Sequence, residues 1–148
     1  GKRLALFGFT FKADTNDTRE APSINIAKDL LEEGAQLAIY DPKVKINQIE
    51  AEIELPASNH PKDANRNSNK TITGEGIWWP AKTAAEAVQG VDAVLILTEW
   101  NEFKNIDWTN MAPHMRKPAW VFDARGVVNT SQIKQAGLKL WRVGDGAL

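Results

Sequence analysis

The chain has no cysteine, a single tyrosine, two histidines and two methionines among its 148 residues. Within these residues, the missing cysteine excludes disulfides, thiolate catalysis and cysteine-based zinc sites. No run approaches the roughly 20 consecutive apolar residues that a membrane span needs. Charge of one sign is also missing: 18 basic residues stand against 19 acidic ones, for a net charge of -1. No global field therefore draws the chain to nucleic acid or to an anionic membrane. No leader sequence is expected, because the first residues run directly into a strand pattern. A chain that opens at Gly1 rather than at methionine is expected to be a piece of something longer, cytoplasmic in setting.

What is present is ordinary for a folded protein: 43% hydrophobic and 25% charged residues, in a length that suits one domain with a real core. The apolar run at residues 4–9 reads as a buried strand. Residues 21–33 have helical spacing, with Ile24, Ala27, Leu30 and Leu31 on one face, Pro22 in the first turn and Gly34 at the C-terminal cap. "QLAIY" (36–40) is a second strand, stopped by Asp41-Pro42. The spacing predicts a short helix in 44–55, then a polar surface insertion at 56–76 with a solvated His60. Order returns with a short strand at Ile77-Trp78-Trp79, where the tandem tryptophans fit a core strand better than an interface patch. Thr83 and Glu86 form a capping-box pattern for a helix ending near Gly90. "VDAVLILT" (91–98) is a strong strand signal, followed by one or two short helices with Asp107 as a cap. "AWVFDAR" is a further strand, Ser131 is the expected cap of "QIKQAG", and "KLWRVG" is the last strand.

This alternation predicts an α/β fold. We expect a doubly wound, mostly parallel Rossmann-like sheet of five or six strands in three α/β/α layers, with strand order 3-2-1-4-5-6 ahead of a flavodoxin-like order. In such sheets ligands bind outside the carboxyl ends of the strands, near the point where strand order reverses. That rule selects "GFTFKADTNDTREAP" (8–22), "TEWNEF" (98–103) and "DARGVVN" (123–129). Their cations are Lys12, Arg19 and Arg125, and a helix starts near Ala21, which together suit an anion site. Arginine grips a phosphate through parallel hydrogen bonds, and lysine acts as a point charge. Phe9, Phe11, Trp100 and Phe103 offer surfaces for a base or sugar, so the expected ligand is a nucleotide-like molecule. The same residues also fit a purely structural role. Asp14, Asp17, Arg19 and Glu20 can pair to hold a loop, each aromatic can be core, and Asp123 is better suited to fixing a loop than to acting as a base.

The first loop lacks G-x-G-x-x-G, so a dinucleotide pyrophosphate has no glycine cradle there. Asp41 occupies the place of a ribose-binding acid, but without the glycines it reads as a turn former. No P-loop, HExxH or nucleophile elbow occurs, and no complete catalytic apparatus is present.

The four segments "GFTFKADTNDTREAP", "AIYDPKV", "DAVLILTEWNEF" and "FDARGVVN", in this order over about residues 4–130, resemble the C-terminal UDP-binding domain of the UDP-glucose/GDP-mannose dehydrogenase family, in its UDP-glucose 6-dehydrogenase branch. The resemblance implies a single nucleotide-sugar-binding domain over 1–148, with the family's N-terminal NAD domain and central helical region not in this chain. It implies an enzyme that oxidises UDP-glucose to UDP-glucuronate in two steps with two NAD, through a cysteine lying before this domain. It further implies that Phe11, Lys12 and Arg125 contact the substrate, that Arg19 of "DTR" reaches toward NAD, and that Trp100 of "TEW" lines the site. Asp14, Asp17, Glu20 and Asp123 are supporting residues. The expected partners are a UDP-sugar, the enzyme's own N-terminal domain and further copies of the full-length protein, with no metal among the cofactors. Ala21 and Gly126 depart from the family, which often has a serine and a larger residue there. Sugar nucleotides with an N-acetylated hexosamine, GDP-mannose, and a non-enzymatic interaction module are the alternatives.

Overall fold

The computed structural model describes residues 2–10, 13–18, 21–58 and 76–143. Six strands form one sheet: β1 (Arg3–Phe7), β2 (Gln36–Tyr40), β3 (Ile77–Pro80), β4 (Ala93–Ile96), β5 (Trp120–Asp123) and β6 (Lys139–Arg142). Their order is β3-β2-β1-β4-β5-β6, the expected 3-2-1-4-5-6. Every pairing is parallel, so the sheet is parallel throughout rather than mostly so. Central β1 sets Leu4 beside Leu37 of β2 and Ala93 of β4, which brings the ends of β1, β4 and β5 together on one edge.

Both faces of the sheet are covered. Leu6, Leu37, Ile39 and Trp78 pack against α1 (Pro22–Glu32) and α2 (Ile46–Ile53). Phe7, Ala38, Trp79, Val94 and Val121 pack on the other face, under α3 (Ala84–Ala87), α4 (Asn101–Lys104), α5 (Trp108–Met111) and α6 (Thr130–Gln135). Successive strand residues point to opposite faces. This decides the tandem tryptophans: Trp78 fills one core at 0% exposure and Trp79 the other at 3%. The Trp78 indole N–H donates to the Leu55 carbonyl at 2.8 Å, so the large ring stays buried without an orphaned donor.

Local signals acted largely as expected. Pro22 opens α1, where its missing N–H is no loss, and Gly34 follows its end at φ 86°. Thr83 Oγ1 accepts from the Glu86 N–H at 3.0 Å, and Asp107 caps α5 by accepting from the Asn110 N–H. The last helix differs from expectation. Its cap is Asn129, whose Oδ1 accepts from the Gln132 N–H at 3.2 Å, and Ser131 lies inside the first turn. An Asn side chain three residues before a free N–H satisfies it as well as a serine does, so the helix starts earlier. Of the expected insertion, Ser58 donates its N–H to the Trp78 carbonyl and Gly76 to the Leu31 carbonyl. Residues 59–75, His60 included, lie outside the described residues.

Candidate functional site

The three loops selected from the sequence follow β1, β4 and β5, which are neighbours in the sheet. Side chains tie them together. Thr98, fully buried, donates its hydroxyl to the Thr10 carbonyl at 2.9 Å, joining the second loop to the first. Arg125 Nη2 meets Glu99 Oε2 in a close ion pair, joining the second loop to the third. Phe103 stacks on Phe7 with ring centroids 5.2 Å apart, anchoring the start of α4 on the central strand.

The third loop is built around Asp123, which is 0% exposed. Its Oδ1 accepts from the N–H groups of Arg125 (3.1 Å) and Gly126 (2.8 Å), and its Oδ2 from that of Val128 (2.9 Å). The Arg142 guanidinium lies 3.7 Å away and donates to the Gly126 carbonyl at 2.8 Å. A carboxylate holding three backbone donors within five residues of itself has the geometry of a loop former. The effect is to fix the backbone from which Arg125 projects.

The first loop is braced from α2. Gln48 Nε2 donates to the Asn16 carbonyl at 2.7 Å and to Thr18 Oγ1 at 3.1 Å, and Thr18 donates to Glu52 Oε1 at 3.3 Å. Gln48 and Glu52 stand four residues apart and so share a helix face. Sequence reading missed both, although that spacing is the signal that would have found them. Asp14 is exposed at φ 65° and Asp17 is half-buried, its N–H donating to Thr15 Oγ1 at 3.1 Å. Phe11, Lys12, Arg19 and Glu20 lie outside the described residues.

Trp100 is only 6% exposed and packs in the core under α4, its indole N–H without a hydrogen-bond partner among the described residues. Phe9 and Phe103 are fully buried. The aromatics of these loops, where described, thus support the loops from beneath rather than offering an open face.

Asp41 is committed to the backbone. Its Oδ2 accepts from the Phe9 N–H at 2.7 Å, and its Oδ1 from those of Lys43 (2.8 Å) and Val44 (3.1 Å). It is the turn former expected. It also fastens the first loop to the end of β2, with three of its roughly four acceptor sites taken by backbone N–H groups. Together with a β1 loop that lacks the three glycines, this makes the chain a poor fit for NAD by itself. Beside it, the Tyr40 hydroxyl donates to Glu102 Oε2 at 2.5 Å. Burial, then this bond and the neighbouring carboxylates, push the Tyr40 phenol well above its ordinary range. A cavity of about 890 Å³ opens here, lined by Tyr40, Asp41, Lys45, Lys82 and Glu102 among others. It lies on the β2–β3 side of the same sheet edge.

A doubly wound parallel sheet with linked polar loops over its switch point defines a ligand-binding α/β domain. The chain belongs to the UDP-glucose/GDP-mannose dehydrogenase family, as its UDP binding domain, whose model matches residues 5–130. It is 37% identical over 145 residues to UDP-glucose 6-dehydrogenase 4 of Arabidopsis thaliana, and 39% identical over 145 residues to UDP-glucose 6-dehydrogenase 3 of the same plant. Each match covers 97% of this chain, and the chain spans only about 30% of the length of these curated relatives. In structure it resembles an NDP-N-acetyl-D-galactosaminuronic acid dehydrogenase from Methanosarcina mazei Go1, at a TM-score of 0.70 and 19% identity, over 97% of this chain and 25% of that one. At that identity the likeness concerns the fold. Among the described residues, no helix is long and apolar enough to cross a membrane.

Proposed function

We propose that this chain is the part of an NAD-dependent UDP-glucose 6-dehydrogenase that holds the nucleotide end of UDP-glucose. The observation that carries this reading is Arg125. Family membership supports a UDP ligand, and Arg125 stands on a loop fixed by Asp123, beside the loops after β1 and β4, where such sheets take their ligands. In this reading Arg125 and Lys12 bind the diphosphate, Phe11 and the Trp100 loop shape the substrate side, and Arg19 reaches NAD held by another domain. Asp14, Asp17, Glu20 and Asp123 keep the two loops in shape.

The oxidation itself belongs to the whole enzyme. This chain has no cysteine to form a thiohemiacetal or thioester, and the backbone around Asp41 does not suit NAD. The isolated chain is therefore expected to produce no NADH from UDP-glucose.

Titration with UDP, GDP and NAD, followed by tryptophan fluorescence, tests the assignment. Weak UDP binding that exceeds both others, and that falls about tenfold in Arg125→Ala, is expected. Preference for GDP would move the substrate to GDP-mannose. Tight NAD binding would sink the assignment, and binding of none would favour an interaction module that kept only the fold. Comparing UDP-glucose with a UDP-N-acetylhexosamine in the full-length enzyme decides the sugar.

A further inference from the structure

Glu99 belongs to no role so far assigned, yet it is the partner that Arg125 meets among the described residues. Its two chain neighbours hold it in place. Thr98 is fully buried and bonded to the Thr10 carbonyl at 2.9 Å, and Trp100 is 6% exposed and packed in the core. A residue between two such anchors has little backbone freedom. Arg125 is fixed differently. Asp123 holds its backbone N–H, but the guanidinium sits at the end of a long side chain that is 35% exposed.

We propose that Glu99 is a positioning residue, which holds the Arg125 guanidinium at the ligand edge of the sheet and leaves its other N–H groups free for a diphosphate. This rests on the substrate reading given above. Arg125 meets Glu99 through Nη2, and a guanidinium has five N–H donors in a rigid planar fork. The remaining donors suit phosphate oxygens. Glu99 Oε2 is buried with Arg125 in place. The opposite role, a competing anion that the substrate displaces, predicts tighter UDP binding once the Glu99 charge is removed.

The test uses this chain with four sequences: unaltered, Glu99→Ala, Glu99→Gln and Arg125→Ala. Two quantities are read, UDP affinity and the ¹⁵N relaxation of the Arg125 Nε–H group without ligand. Glutamine keeps an acceptor oxygen but loses the charge, so it is the conservative rescue. The expected result is that Glu99→Ala weakens UDP binding about tenfold, close to Arg125→Ala, while Glu99→Gln stays within about threefold of the unaltered chain. The Arg125 side chain is expected to be ordered in the unaltered chain and in Glu99→Gln, and mobile in Glu99→Ala. Equal order of Arg125 in Glu99→Ala overturns the proposal, as does tighter UDP binding in both Glu99 variants. If UDP binding is absent throughout while Arg125 is ordered only beside Glu99 or Gln, the hold on Arg125 is supported and the substrate reading is what fails.

Discussion

A β-carbon placed on Gly8 would lie 2.4 Å from Oγ1 of Thr98, in backbone at φ +100°. The close approach is what lets the Thr98 hydroxyl reach across to the Thr10 carbonyl and join the loops after β1 and β4. Gly8→Ala should therefore meet both a clash and a strained backbone. Destabilisation of about 2–4 kcal/mol is expected, read as a fall in the urea midpoint. A change within about 0.5 kcal/mol would show that the two strands separate easily.

Asp123 supports the third loop through three backbone N–H groups. Asp123→Asn replaces one acceptor oxygen by an NH₂ group facing donors, at a side chain that is 0% exposed. A loss of about 2–4 kcal/mol in stability is expected from equilibrium unfolding. UDP binding should weaken as well, since the backbone beneath Arg125 is released. Unchanged unfolding would mean that the loop is held by something other than this carboxylate.

Tyr40 donates to Glu102, and burial followed by that bond raises its phenol above the ordinary value near 10. A raised folded value stabilises the neutral form. Its contribution is complete below the unfolded value of about 10 and is lost as pH rises toward the folded one. Stability should thus fall more steeply above pH 10 in the unaltered chain than in Tyr40→Phe, measured by urea midpoints at pH 9 and pH 11. At pH 7 the substitution should cost about 1 kcal/mol. Parallel pH curves for the two proteins would contradict the bond.

Asp92 stands at the opposite, amino edge of the sheet, where its Oδ2 accepts from the Arg3 N–H at 3.0 Å and from Arg116 Nη2 at 2.6 Å. Burial pushes its carboxyl up, but these two bonds and the nearby cations outweigh burial and hold it below the ordinary carboxylate range. A depressed folded value gives stability that is present above the unfolded value near 3.9 and is lost as pH falls through the folded one. Asp92→Asn should therefore flatten the acid limb of the stability curve below about pH 4. Because it is remote from the three loops, UDP affinity should not change. Lost affinity in this variant would place the ligand elsewhere.

The sequence by itself determined the layered fold. Apolar runs alternating with helical spacing favoured the order 3-2-1-4-5-6 over a flavodoxin-like one, and short-range signals such as Pro22, Gly34, Thr83 and Asp107 act within a few residues of chain. The meeting of the loops after β1, β4 and β5 followed from that strand order, which makes their strands neighbours. What supports those loops was legible only in three dimensions. Glu99 with Arg125, Gln48 with Asn16 and Thr18, and Asp41 with Phe9 join residues 26 to 32 positions apart. No local pattern records such pairs, because contact arises only when the sheet brings strand ends together. The tandem tryptophans show the boundary well. Their type pointed to a core, but it took the alternation of a strand buried on both faces to send Trp78 into one core and Trp79 into the other.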